Sequence, residues 1–131
     1  MPLDHVSVGC THVKKAKDFY DAVLAPLGYT PVMPVEIGGE LLAVGYGDAG
    51  HPSFWVQKPF NRQPPSFGNG VHVAFSAPTR AAVDEFYLAA VGAGGIDDGQ
   101  PGLRTEYHPN YYAAFVRDPD GNKIEAVCHG P

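Results

Sequence analysis

A chain of 131 residues carrying a formal net charge of −5 has material for one ordinary core and not for two independent ones. Its 44% hydrophobic and 11% aromatic content belongs to a packed globular protein, and its dispersed acidic charge excludes a nucleic-acid surface or a basic membrane-binding helix. No apolar stretch approaches the roughly 18 residues of a membrane span, and Cys10 and Cys128 form neither a CxxC pair nor a disulfide framework.

The N-terminus opens directly on a strand pattern, LDHVSV (Leu3 to Val8). It carries no signal-peptide pattern, so a reduced, cytoplasmic setting is expected. Thr11 to Leu27 follows as a helix: Val13, Ala16, Phe19, Tyr20, Val23, Leu24 and Leu27 recur at three- and four-residue spacing and make one apolar face. Thr11 is the expected N-cap and Gly28 the C-terminal stop. Three short strands then read near Thr30 to Glu36, Leu41 to Tyr46 and Ser53 to Gln57, separated by Gly38-Gly39 and by Gly47 to Pro52.

Residues 58–69, with Pro59, Pro64, Pro65 and Gly68, resist helix and strand alike and read as a linker. Beyond it the pattern starts again. GVHVAF (Gly70 to Phe75) is a strand, and Val83, Phe86, Tyr87, Ala90 and Val91 give the apolar face of a helix that Pro78 and Thr79 introduce. Strands follow near Gly102 to His108, Tyr111 to Val116 and Lys123 to Cys128, with a turn at Asp118 to Gly121.

The two halves are copies. His5 and His72 precede Phe19-Tyr20 and Phe86-Tyr87 at the same spacing, and Ala22 matches Ala89 as Gly28 matches Gly95, all at an offset of 67 positions. The fold class is therefore α+β: two βαβββ modules, residues 1–57 and 70–131, forming one domain of curved mixed sheet around a central cleft that suits a small-molecule ligand.

Three polar residues sit in apolar strands: His5, His72 and Glu125. A lone His in a strand is most often a core or edge residue, and a lone Glu most often faces solvent. The pseudo-symmetry of the copies should place the two imidazoles across the cleft from each other. With Glu125 they make the minimal set for a divalent metal with open positions, whether Zn, Fe, Mn, Ni or Co. Alternation puts Lys123, Glu125 and Val127 on one face and Ile124 and Ala126 on the other. If Glu125 is a ligand, its own face lines the cleft and Ile124 and Ala126 pack beneath the helices.

With His on the first strand, the Phe-Tyr helix, His opening the second copy and the ending DPDGNKIE, the chain resembles the vicinal oxygen chelate superfamily. That superfamily includes glyoxalase I, extradiol dioxygenases, fosfomycin-resistance enzymes and bleomycin-binding proteins. The resemblance implies a metal on His5, His72 and Glu125, and a substrate chelated through two adjacent oxygens. It also implies lyase or isomerase chemistry and a homodimer. Glyoxalase I takes a further Glu ligand from the last strand of the first copy, where SFWVQ offers only Phe54 or Trp55. The extradiol comparison makes His108 a candidate acid/base, although Phe115 stands where that family has Tyr. It also turns the face of Tyr111, Ala113 and Phe115 toward the metal, with Tyr111 orienting a substrate oxygen, and Arg104 is a candidate partner for a substrate carboxylate.

Two rival functions stand beside the metal-dependent enzyme. One is a non-catalytic, antibiotic-type binding protein whose aromatic cleft is lined by Phe54, Trp55, Tyr111 and Phe115. The other is an Fe(II)-dependent extradiol-type dioxygenase.

Overall fold

Period-two alternation in the strands and period-3.6 stripes in the helices sort the side chains into two layers in a computed structural model that describes residues 2–131. The elements run β1 (Val6–Gly9), α1 (Val13–Leu24), β2 (Thr30–Ile37), β3 (Glu40–Asp48), β4 (His51–Gln57), β5 (His72–Ser76), α2 (Arg80–Gly92), β6 (Ile96–Leu103), β7 (Tyr112–Arg117) and β8 (Lys123–Cys128). Each module is a four-stranded sheet, ordered β1-β4-β3-β2 and β5-β8-β7-β6. In each, the first strand runs parallel to the last and the other pairs are antiparallel.

Four boundaries differ from the sequence reading. The first strand starts at Val6, so His5 precedes it. Thr11 does not cap α1, because its backbone N–H and its hydroxyl both donate to Asp120, at 2.9 Å each, and His12 occupies the cap position. Pro26 cannot donate into the α-helical ladder, so Ala25–Leu27 close as a single 3₁₀ turn. Gly28, at φ 82°, then ends the segment in the left-handed conformation that glycine tolerates. The strand expected at Gly102 to His108 lies earlier, at Ile96–Leu103, and the chain from Arg104 to Asn110 turns instead.

The core is shared between the modules. Val13, Ala16, Phe19, Tyr20, Val23 and Leu24 of α1 and Ala82, Val83, Phe86 and Ala90 of α2 are buried with the helix-facing sides of both sheets. Aromatic edges stitch the two halves. Phe75 of β5 packs edge-on to Phe54 at 5.0 Å and to Tyr29 at 5.6 Å between ring centroids, a geometry that aromatic pairs favour. Cys10 sits in this core, and burial pushes its thiol up to about 12, so it stays protonated and is no nucleophile.

One polar cluster is buried with these apolar groups. Asp118 opens the turn before β8 and is 2% exposed. Its carboxylate accepts from the Tyr20 hydroxyl at 2.5 Å, from the backbone N–H of Asp120 and Asn122 at 2.9 Å, and from Asn122 Nδ2 at 2.9 Å. The same Asn122 amide donates to the carbonyl of Gly9 at the end of β1. Burial raises the pKa of Asp118 and its hydrogen bonds oppose that rise. Gly121, at φ 89°, completes the turn. Replacing Asp118 with Asn keeps the shape but points an amide donor at existing donors. Urea unfolding should show a loss of about 2 kcal/mol or more, and a change within about 0.5 kcal/mol would contradict this role.

Candidate functional site

The strand β8 carries Glu125 on the face away from the helices. Ile124 and Ala126 are fully buried beneath α2, which is the division of faces that alternation predicts. The Glu125 face forms part of a cavity of about 560 Å³ lined by His72, Asp98, Gly99, Arg104, Tyr107, Tyr111, Phe115, Lys123 and Glu125. The second module alone supplies all of these groups.

Glu125 is 2% exposed, and no other carboxylate in this cavity is buried. Both of its oxygens are engaged. Oε1 lies 3.1 Å from Nε2 of His72, whose N–H donates to it, and Oε2 accepts from the Tyr111 hydroxyl in a short contact. Burial and this bond hold the Tyr111 phenol well above its ordinary pKa, so it remains a donor across the neutral range. Phe115 is the cross-strand partner of Glu125 and meets the His72 ring edge-on at 6.2 Å.

Arg104 leaves the end of β6 and lies over the Phe115 ring at 5.5 Å, while Lys123 sits 5.1 Å from the same centroid. Asp98 is 3.1 Å from Arg117 and 3.6 Å from Lys123. Lys123 was legible as sharing the face of Glu125. Asp98, Gly99 and Tyr107 were not: the early start of β6 brings Asp98 and Gly99 to the cavity, and Tyr107, expected in a strand, reaches it from the turn that follows β6.

Other expected site residues are placed elsewhere. His5 is half-exposed and bonded to its neighbour Asp4 at 2.7 Å, and it does not line the cavity. Phe54 is 1% exposed and packs against Tyr20 and Phe75 in the core, and it does not line the cavity of Glu125. The strand ladder removes the ambiguity between Phe54 and Trp55: Ser7 pairs with Trp55 as Ala74 pairs with Glu125. Trp55 therefore holds the position of Glu125 in the first copy, with its ring against Gly45, where a Cβ would come within 2.9 Å of it. His108 also stands outside the cavity lining. Its Nε2 lies 2.6 Å from Nδ1 of His129, and its Nδ1 accepts from the Asn110 N–H.

The metal implied by the resemblance asks for His5, His72 and Glu125 around one ion. Only His72 and Glu125 are together, and no group of three or more His, Cys, Asp or Glu side chains gathers as a metal requires among the described residues. The donor set of a single chain does not fit the ion.

Comparison with known proteins extends over the whole length. A family model described as Glyoxalase/Bleomycin resistance protein/Dioxygenase superfamily matches residues 2–126. A glyoxalase/bleomycin resistance protein from Albidiferax ferrireducens T118 is 34% identical, with 100% of each chain covered and a TM-score of 0.84. A putative glyoxalase from Bacillus halodurans is 27% identical over 96% of this chain and 94% of its own, with a TM-score of 0.63. A glyoxalase I mutant from Zea mays shares the fold at 23% identity and a TM-score of 0.72, and there this chain spans 46% of the larger one. No curated protein matches.

The bond between Tyr111 and Glu125 has a direct readout. In a Glu125→Gln variant the Tyr111 phenol should titrate at lower pH than in the wild type, followed by NMR of ¹³C-labelled tyrosine. An unmoved titration would show that the carboxylate does not hold the phenol.

Proposed function

The chain belongs to the Glyoxalase/Bleomycin resistance protein/Dioxygenase superfamily, and from that premise we propose that it is a lyase or isomerase. Its substrate would be a small molecule with two adjacent oxygens, and its chemistry proton transfer in the cavity of the second module. The observation that carries this reading is Glu125: a carboxylate 2% exposed, held by two donors, at the wall of an open cavity. A buried charge is costly unless it is paired and hydrogen-bonded, and chemistry at this wall accounts for keeping one there.

In this reading Glu125 takes a proton from the carbon beside a substrate carbonyl. Its oxygens retain lone pairs beyond those that His72 and Tyr111 occupy. The Nε2–H of His72 and the protonated phenol of Tyr111 are the donors closest to the charge that moves. Such a general base contributes about 100-fold or more to a rate. Phe115 and Tyr107 give the cavity an apolar face against which the bound molecule packs.

The test is exchange of carbon-bound hydrogen in D₂O, followed by NMR, on hydroxyacetone, dihydroxyacetone, pyruvate and 2-oxobutyrate. The wild type should accelerate exchange of at least one, and Glu125→Gln should lower that rate about 100-fold. No acceleration on any of the four, or equal rates in the variant, would sink the catalytic reading and favour the binding-protein alternative.

The 3.1 Å approach of His72 Nε2 and Glu125 Oε1 favours a second reading, in which a divalent metal joins these two donors to His5 of a second copy in a homodimer. Equilibrium dialysis against zinc, run beside sedimentation, should then show binding by a dimer that both His5→Ala and His72→Ala abolish. Retention of zinc by His5→Ala would remove His5 from the ligand set.

A further inference from the structure

Within this cavity the charges pair off with one exception. Glu125 is held by His72 and Tyr111. Asp98 stands between Arg117 and Lys123. Arg104 makes no ion pair with any carboxylate among the described residues. Yet its guanidinium is held in one orientation. Nη1 donates to the Gly102 carbonyl at 2.9 Å and Nη2 to the Gln100 carbonyl at 2.7 Å. Its backbone N–H donates to the Tyr111 carbonyl at 2.7 Å, which ties the arginine to the residue that bonds Glu125.

The backbone around it is shaped to admit the group. A Cβ on Gly102 would come within 3.2 Å of Nη1, and one on Gly99 within 3.2 Å of Nη2 and 2.9 Å of the Phe115 ring. Gly99 also has φ 152°, which other residues rarely adopt. These glycines fall where β6 loses its regular pairing with β7, between Asp97 and Gly102. Gln100 lies in the unpaired stretch between Gly99 and Gly102, and its carbonyl faces the guanidinium together with that of Gly102. Only two of the five N–H donors are engaged by these bonds. A solvated surface arginine would need neither the glycines nor the two carbonyl clamps.

We propose that Arg104 is a preformed anion anchor and that the site takes a substrate bearing a carboxylate, a short 2-oxo or 2-hydroxy acid with an apolar or aromatic body. The proposal rests on the reading of Glu125 as the reacting base and names the substrate class of that same site. Phe115 fixes the spacing, for it lies under Arg104 and directly across the ladder from Glu125. Side chains directly opposite on an antiparallel pair are about 5 Å apart at Cβ, so anchor and base are separated by roughly one side chain. A short acid spans that gap with its carboxylate on Arg104 and the adjacent oxygenated carbon toward Glu125. Tyr107 and Tyr111, packed edge-on at 4.9 Å, wall the space beside it. The planar fork of arginine suits a carboxylate in two-point contact, and a lysine does not reproduce it.

The experiment compares phenylacetate with its neutral isostere phenylacetamide by calorimetric titration of the full chain. The wild type should bind the acid at least about tenfold more tightly than the amide, as a charge-assisted bidentate contact gives. Arg104→Gln should erase that preference, Arg104→Lys should restore part of it, and Glu125→Gln should keep it. Amide resonances of residues 99–111 in the wild type should shift on adding phenylacetate, a readout that needs no variant to fold. Equal affinity for acid and amide in the wild type, an undiminished preference in Arg104→Gln, or unmoved resonances would each overturn the anchor. The two readings fail separately. Hydrogen exchange without carboxylate preference removes the anchor and leaves the base, and carboxylate preference without exchange does the reverse.

Discussion

The buried carboxylate of Asp118 is the constraint from which the rest of the molecule follows. It gathers the hydroxyl of Tyr20, two backbone N–H groups and the amide of Asn122 at the point where β7 hands over to β8. Asn122 then reaches the end of β1, and Asp120 takes the two donors of Thr11. One turn of the second module is thereby fastened to the strand end and helix start of the first. The turn also fixes where β8 begins. Because side chains alternate, a slip of one residue would drive Glu125 into the core and bring Ile124 out to the cavity. The cost of such a slip is severe on both faces, so the register that aims Glu125 is strongly specified.

The two modules share a backbone plan and differ in chemistry. At matching ladder positions the first holds Trp55 and the second Glu125. Trp55 lies over a glycine, whereas Glu125 has two hydrogen-bond donors and an open volume before it. The second difference is in β6, where the glycines that weaken the strand make the cradle for Arg104. The pairing that β6 gives up lies at Gln100, whose carbonyl holds the guanidinium together with that of Gly102.

Much of this was legible in the residues. The repeat, both helices and the division of β8 into a core face and a cavity face follow from periodicity, because burial enforces it. The position of His5 was not legible in the same way. Sequence equivalence of His5 and His72 gives matching places in two modules, but proximity depends on how those modules pack, and here Phe54, Phe75 and Tyr29 set the packing. The early start of β6 was hidden by Asp97, Asp98, Gly99 and Pro101, residue types depleted in strands that here lie in an irregular one. The pairing of His108 with His129 joins residues whose approach depends on the turns after β6 and the end of β8, which no local pattern encodes.

The most direct measurement is a crystal structure of the chain soaked with oxamate, a non-enolisable likeness of a short 2-oxo acid. The account predicts oxamate in the second-module cavity, its carboxylate in two-point contact with Arg104 and its amide end toward Glu125 and His72. Oxamate bound in the first module, or held in this cavity with its carboxylate turned away from Arg104, would contradict it.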